Sequence, residues 1–359
     1  EQKLRMRIPS DIKKIHKAFK KNGKQLFVVG GAVRDAILGK SPKDFDLTTD
    51  AKPDEVIQIA KKNKLKVGDE VGKSFGVVIV NGHEIATFRK DIGKGRRPDA
   101  VDFTDIKGDV MRRDLTINAL FYDIDKQTIV DLVGGIEDLR KGQIRTVGKA
   151  EERFDEDPLR KLRALRFAGS VGGKMHTDTF NALKENPDLS GVAAERIRDE
   201  FIKGIKKAKS TKQYLNLSKD TKILPFILPG LNLNLKFIDN NNAVIQLATL
   251  LIRNNYNTVE NRLKGMSYTN QEVKNISFLL KLNKFNPTDI YIMKKEQENT
   301  SLTDSQINEW SKLTGNSDVK KVWDFKLSVT SKEVIDMGFK GKEIGDKMKE
   351  LETNKYLGK

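Results

Sequence analysis

The sequence predicts an α+β head followed by an all-α remainder. Two short hairpin signals fall within the first 148 residues, whereas after Gly148 apolar residues recur only at helical spacing. The chain has 359 residues, 37% of them hydrophobic and 17 of them Phe, which is enough for several small cores in two or three domains.

The elements follow in order. Ser10 is placed to cap a helix in which Ile12, Ile15 and Phe19 keep helical spacing and which Gly23 ends. Residues 25–29 form an apolar strand entering Gly30-Gly31, and residues 32–38 a helix stopped by Gly39. Residues 44–48 read as the next strand, and Pro53 opens a helix to Lys62. Asn81-Gly82 joins residues 75–80 and 83–89 as a hairpin, because both turn residues tolerate positive φ. Residues 111–118 read as a helix, and residues 119–124 and 128–132 as a second hairpin. Beyond it, residues 157–168, 177–184 and 193–208 read as amphipathic helices, and the Asn-rich stretch 232–242 as a loop.

Lys and Arg number 67 against 50 Asp and Glu, a net charge of +17. That excess suits a polyanionic partner, either nucleic acid or an anionic membrane surface, but a solvated Lys-rich surface accounts for it equally. The absence of cysteine excludes disulfides and thiolate metal sites, and three scattered histidines argue against a His-based zinc site. No apolar run approaches the roughly 18–20 residues of a membrane span, and the first ten residues carry no signal-peptide core. A cytoplasmic protein without membrane association or an obligate protein partner is the expectation.

Three constellations carry chemistry. In the first, Gly30 and Gly31 stand between a strand and a helix, where backbone amides can approach a phosphate, with Arg34 in the same turn. Asp44 and Asp46 follow, and alternate residues of a strand share a face, so the two carboxylates project together. Paired oxygen ligands select magnesium or manganese; a solvent-facing Asp pair on an edge strand is the other reading. Glu84, on the return strand of the first hairpin, is the candidate third carboxylate for two-metal phosphoryl transfer.

The second is Arg112-Arg113-Asp114, read as opening a helix that places Asn118 one turn on. The arginines suit a triphosphate, and Asp114 with Asn118 suits a ribose hydroxyl. The third is Glu156-Asp157-Pro158-Leu159-Arg160. On a helix Asp157 and Arg160 share a face, one accepting and one donating hydrogen bonds. Cytosine and adenine each offer an exocyclic amine beside an unprotonated ring nitrogen, so such a pair selects C and A without a template. An intrahelical salt bridge is the alternative. Arg160, Arg163 and Arg166 recur every three residues, as a phosphate-binding or merely solvated stripe.

Together these stretches resemble the class II tRNA nucleotidyltransferases (CCA-adding enzymes) and their relatives, the bacterial poly(A) polymerases. The segments that carry the resemblance are VVGGAVRDAILGK, DFDL, GHEIATFRKD, MRRDLTINAL, DLVGGIEDLRKGQIRTVG, RFDEDPLRKLRALRFA and AAERIRDEF. The resemblance implies a polymerase-β-like nucleotidyltransferase head over residues 1–148, then a helical neck (149–210), body (211–300) and tRNA-binding tail (301–359). It assigns Asp44 and Asp46 to catalytic metals, Arg113 and Asp114 to the ribose, and Asp157 with Arg160 to the incoming base. Glu195 and Arg196 match a neck motif that supports the nucleotide pocket, and residues 92–101 fall where the family has a flexible loop that switches from CTP to ATP. The implied reaction is addition of CCA to the 3′ end of tRNA from CTP and ATP. Poly(A) synthesis, CC-only or A-only addition, and a non-catalytic RNA-binding role stay open.

Overall fold

The computed structural model describes residues 2–92 and 100–359. The chain divides into two compact units. One comprises Glu1–Val192, Lys207–Lys209 and Leu217–Phe226, the other Ala193–Lys206, Ser210–Asn216 and Ile227–Lys359. The segment expected as a neck is thus shared between them.

The first unit is built on β1 (Gln2–Lys3), β2 (Leu26–Val29), β3 (Asp46–Thr49), β4 (Val77–Val80), β5 (His83–Thr87), β6 (Arg89–Ile92), β7 (Ala100–Phe103), β8 (Leu120–Asp123) and β9 (Thr128–Asp131). Seven of these form one sheet in the order β1-β9-β8-β2-β3-β5-β4, and β6 pairs with β7 separately. Within the sheet only β3 and β5 are parallel, with Leu47 opposite Ile85. Asn81 and Gly82 adopt φ of 49° and 80° between Val80 and its partner His83, the expected tight turn.

Each sheet face has its own core because strand residues alternate. Leu26, Val28, Leu47, Ile85 and Tyr122 pack on one face. They meet α1 (Ser10–Lys21), through Ile12, Ile15 and Phe19, and α3 (Pro53–Lys62), through Val56, Ile59 and Ala60. Helix α1 begins without a side-chain cap, following Pro9. On the opposite face Phe27, Val29, Phe88 and Phe121 form a smaller core with Val110, Ala119 and Val147. The rings of Phe27, Phe88 and Phe121 lie 5.7–6.3 Å apart. Burying each stabilises the head by roughly 1.5–3 kcal/mol, and Phe121→Ala is the single change that opens this face.

Helix α2 (Gly31–Ile37) follows β2, and α4 (Ile106–Met111) follows β7. The expected helix over 111–118 does not form. Arg112 closes α4, Leu115 is extended at φ −119° and ψ 144°, and only Thr116–Asn118 coil as a 3-10 turn. Pairing wins over helix propagation here: the Val147 amide donates to the Asp114 carbonyl at 2.9 Å, and the Thr116 amide to the Arg145 carbonyl at 3.0 Å. Helix α5 (Gly135–Lys141) packs on this turn, and only glycine fits at its start, since a β-carbon at Gly135 would sit 2.2 Å from the Thr116 carbonyl oxygen.

The helix expected over 157–168 starts two residues later, as α7 (Leu159–Val171), and a separate helix, α6 (Ala150–Glu156), precedes it. Asp157 lies between them, extended at φ −149° and ψ 101°. Pro158 imposes that break, because its ring disfavours helical backbone at the residue before it. Helix α8 (Thr177–Glu185) and the short parallel pair Gln143–Ile144 and Lys174–Met175 complete the region.

The second unit is helical, from α9 (Ala194–Lys207) and α10 (Thr211–Asp220), which cross the unit boundaries, to the C-terminal helix Lys342–Tyr356. Trp310 is fully buried and donates from Nε1 to the Leu279 carbonyl at 2.8 Å. The Asn-rich loop is held by a buried glutamine. Gln246 Nε2 lies 3.0 Å from Thr211 Oγ1 and from the carbonyls of Ile238 and Asn240. No helix among the described residues is long and apolar enough to cross a membrane.

Candidate active site

Asp46 opens β3 opposite Val29 of β2. Cross-strand partners share a face, so Asp46 stands on the side of the Phe27–Phe88–Phe121 core. Phe45, one residue earlier, packs against the α1–α3 core instead. Asp44 lies two residues before Asp46, ahead of the strand. The parallel register of Leu47 with Ile85, carried one step back, sets Glu84 beside Asp46. All three carboxylates are exposed. Among the described residues no group of three or more His, Cys, Asp or Glu is close enough to hold a metal ion, so Glu84 does not complete a preformed cage with the pair.

β2 runs from this face into Gly30, whose φ of 77° and ψ of −129° only glycine tolerates well. Its amide donates to the Leu120 carbonyl at 3.1 Å, and α2 starts at Gly31, where a β-carbon would meet the Arg34 guanidinium, Nη2 at 3.4 Å and Cζ at 3.9 Å. The first-turn amides of α2 have no acceptor within the helix. Arg34 reaches from α2 to Asn118, Nη1 donating to Oδ1 at 2.7 Å, and bonds Asp35 Oδ1 at 3.3 and 3.2 Å. Asn118 Nδ2 is buried without a partner, a donor held on the same side chain.

The arginine pair is organised by a residue that motif reading passed over. Asp109, without solvent exposure, accepts from Arg113 Nε at 3.2 Å and Nη2 at 2.9 Å, from Arg112 Nε at 3.4 Å, and from the Arg89 amide at 3.0 Å. The signal was present in the spacing, since Asp109 lies three and four residues before the two arginines on α4. Arg113 also lies over the Phe121 ring, 5.0 Å from its centroid. Burial holds its guanidinium below the ordinary arginine value, Arg112 adding to this and Asp109 opposing it.

Asp114 accepts from Arg163 Nε of α7 at 2.5 Å and from the Leu115 amide at 2.8 Å. Burial alone would raise its carboxyl, but the Arg163 guanidinium outweighs that and holds it below the usual carboxylate range. Asp114 and Asn118 therefore do not share one helical turn; Asp114 is bound to Arg163 and Asn118 to Arg34.

Asp157 is buried, its Oδ1 accepting from the Leu159 amide at 3.1 Å. Arg160 turns to Glu156, Nη1 donating to Oε2 at 2.7 Å and to the Arg153 carbonyl at 3.3 Å. The shared helical face expected for Asp157 and Arg160 is thus absent, because Asp157 is not helical, although both belong to the same junction. Burial pushes the Glu156 carboxyl up, but Arg160 and Arg153 together hold it below its ordinary value. Arg163 and Arg166 both stack on Phe167 of their own helix. Glu195, exposed, and Arg196, half-buried, lie on α9 in the second unit. Of the expected flexible loop, residues 92–101, Ile92 ends β6 and Ala100 and Val101 open β7, and residues 93–99 fall outside the described residues.

Against known families, residues 26–145 match the model described as the Poly A polymerase head domain. That match covers about a third of the chain. A second model, described as the probable RNA and SrmB-binding site of polymerase A, matches residues 173–235. The chain is 41% identical over 230 residues to the CCA-adding enzyme of Ligilactobacillus salivarius, a match covering 61% of this chain and 55% of that enzyme. It is 40% identical over 221 residues to the CCA-adding enzyme of Bacillus licheniformis, covering 59% and 54%. The match spans about half the length of these curated relatives. Among solved structures, the Bacillus stearothermophilus CCA-adding enzyme in complex with CTP superposes with a TM-score of 0.67 at 25% identity, covering 98% of this chain and 94% of that one. The Thermotoga maritima CCA-adding enzyme complexed with tRNA shares the fold, with a TM-score of 0.69 at 21% identity, covering 100% and 96%. The chain therefore shares its fold with CCA-adding enzymes over nearly its whole length.

Proposed function

We propose that this chain adds CCA to the 3′ end of tRNA, using CTP and ATP without a nucleic-acid template and releasing pyrophosphate. The observation that carries the proposal is Asp46 opposite Val29, the strand residue that leads into the Gly30-Gly31 turn, with Asp44 two residues before it.

The carboxylate pair suits a divalent oxygen-preferring cation, magnesium or manganese, that takes its remaining ligands from water and substrate phosphates. Bound there, such a cation would supply charge stabilisation at the reacting phosphoryl group. This chain's residues do the positioning on which phosphoryl transfer depends. The first-turn amides of α2 and Arg34 bind the triphosphate. Arg113, Asp114 and Asn118 hold the ribose, Arg112 adding positive charge beside them. Asp157 and Arg160 read the base edge. Glu84, next to Asp46, accepts the proton of the attacking 3′-hydroxyl or supports the cation. The basic helical second unit, which carries Glu195 and Arg196, binds the tRNA backbone largely independently of sequence.

The test supplies magnesium and a tRNA transcript lacking its 3′ CCA, with CTP, ATP or both. Two additions from CTP, a third only with ATP, then a stop, is the expected result. A long ladder from ATP alone would instead make the chain a poly(A) polymerase, the reading favoured by the description of its head family. Absence of extension would overturn the enzymatic reading in favour of an RNA-binding protein.

A further inference from the structure

The positive charge of the chain is unevenly placed. Residues 2–24 hold nine lysines and arginines against one aspartate, in a chain whose net charge is +17. In α1 the buried Ile12, Ile15 and Phe19 face the sheet, so Lys13, Lys17 and Lys21, about one turn apart, form an exposed stripe with Lys14 beside it. Burial alternates in the segment before the helix: Met6 and Ile8 enter the same core, and Arg5 and Arg7 are exposed. Lys20 and Lys24 are ion-paired, with Asp125 and Glu55, and the aspartate of the segment, Asp11, is taken by His83. Among the described residues no carboxylate lies within ion-pair distance of Arg5, Arg7, Lys13, Lys14, Lys17 or Lys21.

Helix stability does not explain the stripe. Like charges one turn apart repel, and lysines near a helix N-terminus, as Lys13 and Lys14 are, oppose its dipole. A membrane surface does not suit it either. Interfacial helices insert large apolar side chains, whereas those of α1 are buried in the head, and residues 2–24 expose no large apolar side chain. For the same reason no aromatic ring is offered for stacking an unpaired base. What remains is regularly spaced positive charge, which grips the phosphates of a helical stem without reading its sequence. Helix α1 packs on the sheet face opposite Asp46, so this surface is separate from the one that carries the carboxylate.

We propose that Arg5, Arg7 and the four α1 lysines form a second RNA-contact face, which holds a double-stranded stem by its phosphate backbone. The choice of RNA over other polyanions rests on the tRNA reading.

The test measures binding of the full chain to a blunt RNA stem of about 16 base pairs by fluorescence anisotropy over a range of salt. The blunt stem offers no single-stranded 3′ end, so extension plays no part. Lys13→Gln/Lys14→Gln/Lys17→Gln is expected to weaken binding at least about tenfold at low salt. It should also lower the slope of log affinity against log salt by about three, at an unchanged melting temperature. Unchanged affinity and slope would overturn the proposal. Acetylation of the parent with and without the stem, read by mass spectrometry, locates the contact independently of any variant. Shielding of Lys13, Lys14, Lys17 and Lys21 supports it, and undiminished labelling there overturns it. A parent that binds phosphatidylserine vesicles through these lysines, but not the stem, would replace RNA by a membrane surface. A chain that extends no RNA yet needs these lysines for the stem loses the enzymatic reading and keeps the face. A chain that extends tRNA, with parent and variant binding the stem equally, loses the face and keeps the reading.

Discussion

Arg113 donates two hydrogen bonds to a single oxygen of Asp109, at 3.2 and 2.9 Å, and that carboxylate has no solvent exposure. The same carboxylate receives Arg112 and the backbone amide of Arg89, so one residue of α4 ties the arginine pair to the start of β6. Removing one partner from a buried ion pair leaves the other charge stranded, at about 3–5 kcal/mol. Asp109→Asn is therefore expected to lower the unfolding free energy by about that amount and to raise the KM for CTP. Urea unfolding followed beside steady-state kinetics checks both; a variant as stable as the parent would show that the pair contributes nothing net.

Asp46→Ala is expected to reduce nucleotide incorporation roughly a thousandfold while leaving tRNA affinity unchanged, because Asp46 is exposed on the sheet face and supports no core. Filter binding and primer extension on the same preparation separate the two. Retained turnover with magnesium would remove Asp44 and Asp46 from the catalytic assignment.

Arg160 owes its orientation to Glu156, whose Oε2 accepts from its Nη1 at 2.7 Å. Arg160→Ala is expected to relax the choice among nucleotides by at least about tenfold, and Glu156→Gln to do the same more weakly. Competition among the four triphosphates measures this. Undiminished rejection of GTP and UTP would rule out selection by the Arg160 side chain.

The Asp114 carboxyl is held below the ordinary range: burial pushes it up, and Arg163 pulls it down further than that. A depressed folded-state value means that this carboxylate contributes stability above its unfolded pKa of about 3.9 and loses it as pH falls through the lower folded value. Asp114→Asn should thus be less stable than the parent at pH 6, with the deficit shrinking below about pH 4. Unfolding free energies from pH 2.5 to 6, in steps of about half a unit, test the sign. A deficit independent of pH would mean that packing, and not charge, is responsible.

Lys294 lies in the helix Ile290–Gln297, where its Nζ donates to the carbonyls of Val322 at 3.0 Å and Trp323 at 2.7 Å. Burial pushes its pKa down to about 8, with Asp324 opposing. Between that value and the unfolded value of about 10.4 the unfolded chain binds more protons, so this group makes stability rise with pH across the window. Lys294→Met should remove that component of the rise. Parallel chemical unfolding of parent and variant at pH 7.5, 9 and 10.5 provides the comparison, and identical slopes would contradict it.

Much of the head was legible because its signals are local. Pro53 opens α3 where a proline suits the first helical turn, Asn81-Gly82 closes its hairpin, and Phe45 turns inward while its flanking aspartates do not. The carboxylate pair and the glycine turn announce themselves within a few residues of sequence. The arginine junction does not. Its helix over 111–118 was replaced by pairing with residues 145–147, and its helical Asp157 was displaced by Pro158.

By itself the sequence determined most of the central strands, the Asn81-Gly82 turn and most of the amphipathic helices, the positive charge, and the residue types available for phosphoryl chemistry, since each rests on periodicity or on the conformational limits of single residues. Tertiary structure alone decided the partnerships: Asp114 with Arg163, Asn118 with Arg34, Glu156 with Arg160, and three arginines around Phe167. Most of these join groups tens of residues apart, and even the nearest, Glu156 with Arg160, was set by a break in the helix. Their geometry depends on how helices and sheet pack, and burial then sets which charges are stabilised and which are left available to a ligand.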